Sequence, residues 1–247
     1  MDIKGFLPTS LIEWEGKLVS VLFLPGCNLR CHYCHAGQLI CNPERLETVP
    51  REQIFDHFRR QRGWLDGAVI TGGEPTLHGE ELRELIGEIR TVPLDVIIET
   101  NGTRPEVVGR LIAEGALAAV AMDLKAPLTA VDYSRVAGVD VDVNDVRHSL
   151  RLIKESGLPH EFRITLVPEL TGRDEIERMA PDLDGADTVA LQNFKPALCL
   201  DPALREMSPY SPEELDALAD ILKPHARRVV VRGRDAAALA ASRPTEA

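Results

Sequence analysis

Three cysteines fall within eight residues of one another, spaced Cys27-x3-Cys31-x2-Cys34. Crowding of this kind points to a metal rather than to a disulfide framework, because a reducing compartment keeps such thiols unpaired. A 4Fe-4S cluster normally takes four cysteine ligands, so three leave one iron open to an exogenous ligand. Structural zinc in a Cys3His set is the competing reading, with His32 and His35 close by, although structural zinc usually draws two ligand pairs from separated segments. The spacing, weighed together with the motifs downstream, favours the cluster. Cys41 and Cys199 read as ordinary small apolar side chains, since one or two isolated thiols cannot hold a second cluster.

Five further groups of residues stand out. In Thr71-Gly72-Gly73-Glu74-Pro75 two adjacent glycines allow backbone to approach a neighbour that bulkier residues would block. Thr100-Asn101-Gly102 reads equally well as a turn, and Asp123 with Lys125 as surface charge. Arg163 is more telling, because it interrupts the apolar run Phe162 to Val167 and a buried guanidinium needs an anion. Gln192 completes the set.

The elements that carry these residues alternate between short β-branched runs and stretches of helical period, the pattern of βα units and a parallel sheet. Strands are expected at Leu18–Leu24, Ala68–Thr71, Asp95–Glu99, Ala118–Asp123, Glu161–Val167 and Thr188–Asn193, with a weaker one at Arg228–Val231. Helices are expected at Pro50–Gln61, Gly79–Arg90, Pro105–Glu114, Asn144–Ser156, Arg173–Leu183 and Pro212–Leu222. Gly72 to Pro75, Thr100 to Gly102, Lys125 and Gln192-Asn193 lie at or just past the C-terminal strand ends, the rim on which parallel α/β proteins build active sites.

At 247 residues the chain suits one α/β domain spanning residues 1–247, with the alanine-rich tail after about residue 234 expected to be disordered. A net charge of −11 argues against a nucleic-acid partner, because phosphate binding needs clustered Lys and Arg. No apolar run approaches the roughly 18 to 20 residues of a membrane span, and residues 1–10 lack a secretory pattern, so a cytoplasmic location is expected.

Pro25-Gly26-Cys27-Asn28-Leu29-Arg30-Cys31-His32-Tyr33-Cys34-His35 resembles the signature of radical S-adenosylmethionine (SAM) enzymes, including the aromatic residue before the third cysteine. Ile3 to Leu11, Val69 to Thr76, Ala121 to Pro127, Glu161 to Arg163 and Leu191 to Phe194 extend the likeness over nearly the whole chain. Together they resemble the anaerobic ribonucleoside-triphosphate reductase activating proteins, which are glycyl-radical-enzyme activases. The resemblance implies a partial (β/α)6 barrel and two cofactors, a 4Fe-4S cluster on Cys27, Cys31 and Cys34 and SAM on its open iron. It implies that SAM is cleaved reductively to a 5′-deoxyadenosyl radical, which removes a glycine α-hydrogen from a partner glycyl radical enzyme, with a flavodoxin- or ferredoxin-type electron donor. Under it Tyr33 packs near the adenine, Gly72, Gly73 and Glu74 receive the SAM ammonium, and Thr100 and Asn101 line the pocket. Asp123 and Lys125 would sit near the methionyl or ribosyl end, Arg163 would meet the SAM carboxylate, and Gln192 would reach the adenosine. Two positions depart from the pattern: Ala36 stands where these proteins often have Asn, and Glu99 where they commonly have Asp. The 7-carboxy-7-deazaguanine synthases, compact single-cluster enzymes of the same superfamily, are the small-molecule alternative.

Overall fold

A computed structural model describes residues 1–235 of the chain, so the expectation for the tail falls almost wholly outside the described residues. The strands are β1 (Gly5–Ser10), β2 (Val19–Leu24), β3 (Gly67–Gly72), β4 (Asp95–Thr100), β5 (Ala119–Asp123), β6 (His160–Leu166), β7 (Ala186–Asn193) and β8 (Ala226–Arg232). The helices are α1 (Gly37–Cys41), α2 (Arg51–Arg60), α3 (Gly79–Thr91), α4 (Pro105–Ala113), α5 (Ala130–Ala137), α6 (Val143–Glu155), α7 (Arg173–Met179) and α8 (Pro212–Leu222). The result is an α/β fold on an eight-stranded, mostly parallel sheet in which the strands stand in chain order. Pairing is parallel between β2 and β3, β3 and β4, β6 and β7, and β7 and β8, while β1 runs antiparallel to β2.

The chain divides into two compact units. One comprises Met1–Asn28, Ala36–Ala121 and Asp145–Pro159; the other comprises Leu29–His35, Met122–Asn144 and the chain from His160 onward. In the first unit, strands flanked by helices must be apolar on both faces. Val19, Val21, Val69, Ile97, Ala119 and Ala121 accordingly form one cluster capped by Trp14 and Phe23. Leu22, Leu24, Ile70 and Ile98 are buried as well. Helix α3 starts with Glu80 and Glu81, acids that suit the positive end of the helix dipole, and buries Leu82, Leu85, Ile86 and Ile89.

In the second unit, Phe162, Ile164 and Leu166 of β6 and Val189, Ala190 and Leu191 of β7 are fully buried. Helix α8 is opened by a capping box, in which the Ser211 hydroxyl accepts from the Glu214 N–H and the Glu214 carboxylate accepts from the Ser211 N–H. It buries Leu215, Leu218 and Leu222. The helix expected over Arg173–Leu183 is α-helical only to Met179 and tightens to a 3-10 turn over Ala180–Leu183, because Pro181 has no N–H to continue the ladder. Three elements were not expected from the sequence: β1, α1 and α5. Among the described residues no helix is long and apolar enough to cross a membrane.

Candidate active site

In the first unit the cysteine loop begins where β2 ends, and the glycine pair begins where β3 ends. A Cβ on Gly73 would lie 1.7 Å from the Gly26 carbonyl oxygen, and one on Gly72 would lie 2.3 Å from that of Leu24. Gly72 also has φ +125°, a conformation that L side chains rarely adopt. The close approach that two glycines permit is therefore made by the protein's own cysteine loop. Gly73 N–H donates to the Leu24 carbonyl at 2.9 Å and Glu74 N–H to that of Gly26 at 2.8 Å. His78 Nε2 lies 2.9 Å from the Pro25 carbonyl, and Gly26 N–H donates to that of Leu39 at 2.9 Å.

Glu74 is 1% exposed, and its carboxylate organises the neighbouring strand end. Oε1 accepts from Thr76 N–H at 3.0 Å, the Thr76 hydroxyl at 2.5 Å and the Thr100 hydroxyl at 2.7 Å. Oε2 accepts from Asn101 N–H at 2.6 Å. Burial pushes the Glu74 carboxyl above its usual range, opposed by these four donors. Gly72, Gly73, Glu74, Thr100 and Asn101 are thus gathered at the base of Cys27. Thr76, Thr103 and Asn28 belong to the same network; the sequence reading did not single them out, and nothing in their local pattern marks them.

In the second unit the segment Leu29–His35 is tied to two places. Arg30 N–H donates to the Ala137 carbonyl at 2.8 Å, where α5 ends. Gly138 caps that helix at φ +69°, and a Cβ there would lie 2.4 Å from the Arg30 carbonyl oxygen. On the other side, Leu200 N–H donates to the Cys34 carbonyl at 3.0 Å and Asp201 N–H to that of His32 at 2.9 Å. Tyr33 is buried, its hydroxyl has no hydrogen-bond partner among the described residues, and burial pushes its pKa up. Lys125 Nζ stands 5.8 Å from the Tyr33 ring centre and 2.8 Å from Asp123 Oδ2. Burial works against the Lys125 charge, but Asp123, Tyr33 and Cys31 around it together outweigh that and hold the ammonium above its usual range.

Arg163 is 7% exposed, and one anion beside it is Glu161, two residues earlier on β6, with Nε to Oε1 at 2.6 Å. Arg232 of β8 grips the same carboxylate with both of its terminal nitrogens at 2.8 Å. Glu161 alternates with Arg163 in period two, which was the available signal for this pairing. Gln192 is half-buried on β7, in register with Thr165 of β6 and Arg232 of β8.

The donor set can be tested against the two metal readings. Among the described residues the five cysteines form no disulfide, with Cys31 buried and Cys27 and Cys34 partly exposed. Among the described residues no three His, Cys, Asp or Glu side chains are gathered to hold a single metal ion. Tetrahedral zinc with bonds of about 2.3 Å would need its sulfurs within about 4 Å of one another. In a 4Fe-4S cluster each cysteine binds a different iron, so the sulfurs stand further apart. Soft thiolates suit either metal, and a loop that supplies three of them fits a 4Fe-4S cluster with one iron left open.

Residues 21–180 match the Radical SAM superfamily. A Methanocaldococcus jannaschii protein, provisionally named a glycyl-radical enzyme activating enzyme, is 30% identical over 234 residues, covering 93% of this chain and 95% of its own length. A 7-carboxy-7-deazaguanine synthase of Hyperthermus butylicus is 25% identical over 193 residues, covering 72% of this chain and 81% of its own. Among solved structures, SuiB of Streptococcus suis bound to precursor peptide SuiA superposes with a TM-score of 0.65 at 15% identity, over 87% of this chain and 48% of that one. At that identity the likeness is one of fold.

Proposed function

The chain belongs to the radical SAM superfamily, whose members use a 4Fe-4S cluster and SAM, and we propose that it is a glycyl-radical-enzyme activase. In this reading it is a single-domain cytoplasmic protein that takes electrons from a flavodoxin- or ferredoxin-type donor and acts on a protein partner, anaerobic ribonucleoside-triphosphate reductase. The observation that carries the proposal is the full-length relationship to the M. jannaschii protein, with neither chain overhanging the other by more than a small fraction.

Cys27, Cys31 and Cys34 would hold the cluster, which with SAM supplies an electron and the abstraction of a hydrogen atom. The remaining work falls to the chain's own residues. Buried Tyr33 and half-buried Lys125 present an aromatic ring and a cation side by side, with Asp123 paired to the lysine ammonium. Glu74 holds Thr100 and Asn101 in place, so the strand end that would line the SAM pocket is rigid before a ligand arrives. Arg163 and Arg232 both hold the Glu161 carboxylate, and Arg163 is proposed to meet the carboxylate of SAM. Gly72 and Gly73 are further proposed SAM contacts, and so is Gln192.

The test uses the reconstituted, reduced protein with SAM and a glycyl radical enzyme encoded beside it. A glycyl-radical EPR doublet on the partner, with one 5′-deoxyadenosine formed per radical, is expected. The relationship to the 7-carboxy-7-deazaguanine synthase favours a second reading, a small-molecule radical enzyme. Rapid turnover of a small metabolite with no partner present, and no doublet on any cognate enzyme, would put that reading in place of the activase.

A further inference from the structure

We infer that Asn101 is a positioning residue for the cluster, aiming an amide N–H at the Cys27 sulfur and thereby raising the potential at which the cluster is reduced. The inference rests on Cys27 being a cluster ligand. Asn101 Nδ2 lies 3.8 Å from Cys27 Sγ, a long contact suited to a large, soft acceptor. Asn101 is 5% exposed, so water does not compete strongly for this donor.

The direction of the amide is fixed by its neighbours. Thr103 N–H, which can only donate, reaches Asn101 Oδ1 at 3.0 Å, and the Thr103 hydroxyl donates to the same oxygen at 2.7 Å. The oxygen must therefore face Thr103 and the NH2 group must face away. That NH2 group also donates to Asn28 Oδ1 at 3.0 Å, and Asn28 Nδ2 donates to the Thr103 hydroxyl at 2.8 Å. Asn28, Thr103 and Asn101 thus close a ring in which every donor points the same way round, an arrangement in which each bond polarises the next. The backbone of Asn101 is held separately by Glu74 Oε2.

A hydrogen bond to a ligand sulfur stabilises the form with more negative charge on that sulfur, which is the reduced cluster. Removing it makes reduction harder. The ring gives the effect its specificity, because an amide free to rotate would spend part of its time with the oxygen toward Cys27.

The test is an EPR-monitored redox titration of the reconstituted protein, with iron counted per chain. Asn101→Asp is close in shape and puts a carboxylate oxygen where the N–H was. We expect full iron and a tenfold or larger fall in the reduction equilibrium constant, which is ~59 mV for a one-electron couple. Thr103→Val keeps the amide and removes its hydroxyl anchor, and should shift the potential the same way by less. Full iron with an unchanged potential in Asn101→Asp overturns the inference while leaving the ligand assignment standing. If Asn101→Asp fails to load, Thr103→Val decides, and a wild-type potential there overturns the inference equally. Wild-type iron and potential in Cys27→Ala would instead remove the ligand assignment on which it rests.

Discussion

Replacing Gly73 by alanine should damage both the fold and the cysteine loop, by an amount that the backbone geometry sets. The added Cβ would sit 1.7 Å from the Gly26 carbonyl oxygen, where real Cβ contacts essentially never fall below 3.0 Å. Two segments of backbone must then part by roughly 1.3 Å, the shortfall between those distances, in a packed interior that yields little. Forcing such a gap costs about 1–3 kcal/mol. The separation also breaks or stretches the bonds from Gly73 N–H to Leu24 and from Glu74 N–H to Gly26, at about 1 kcal/mol each. We expect a loss of about 3–5 kcal/mol, a large share of the 5–15 kcal/mol typical of a domain. Urea unfolding of the apo protein measures it, and iron per chain after reconstitution reads the effect on Cys27, the residue next to Gly26. Gly87→Ala is the control: it lies on α3 with nothing within 4 Å of the added carbon, and should stabilise by about 0.5–1 kcal/mol. A Gly73→Ala protein within about 0.5 kcal/mol of wild type, with full iron, would refute the reasoning.

Three other outcomes follow from the same geometry. Glu161→Gln leaves Arg163 and Arg232 without their shared carboxylate and should cost about 3 kcal/mol, at the lower end for a buried ion pair because Glu161 is not wholly enclosed; unchanged urea stability would exclude the triad as a structural unit. Changing Cys27, Cys31 or Cys34 to Ala should abolish the reduced cluster's EPR signal, while Cys41→Ala and Cys199→Ala keep it, and loss of signal in Cys41→Ala would contradict the ligand assignment. The folded Glu74 carboxyl is raised above its ordinary value of 4.5, so the native state holds its proton where the unfolded chain has released it. Its contribution is full below that value and is lost as pH rises through the folded pKa. Stability measured against pH should therefore decline across that window in wild type and stay flatter in Glu74→Gln, and parallel profiles would dismiss the effect.

The six central strands were legible because each is a short β-branched run buried on both faces, a pattern that survives without any knowledge of its partners. Strand β1 was not, since Pro8 interrupts it and its register shifts between Leu7 and Ser10, as befits an antiparallel edge. Its outward residues Leu7, Pro8 and Thr9 are exposed and give no core signal. Helix α5 is only eight residues long, yet its start was written in the sequence: Thr129 accepts from Asp132 N–H, the Thr-x-x-Asp arrangement of an N-terminal cap. Gly138 marked its end.

The site divides along the same line, between what is local and what is brought from far along the chain. Three thiols in eight residues announce a metal whatever the fold does. An acid after two glycines announces nothing about where its carboxylate points, because a strand-end glutamate looks identical in sequence whether it faces a ligand or its own protein. Its partners decide, and the Thr100 hydroxyl and Asn101 N–H come from the next strand, 26 and 27 residues away. Two of the four donors on this buried carboxylate belong to the end of β4, so a change at Glu74 loosens that strand end. Asn101, the residue so loosened, is the one whose amide reaches Cys27. A change at Glu74 must therefore be felt at the cysteine loop, whether or not Glu74 ever touches SAM.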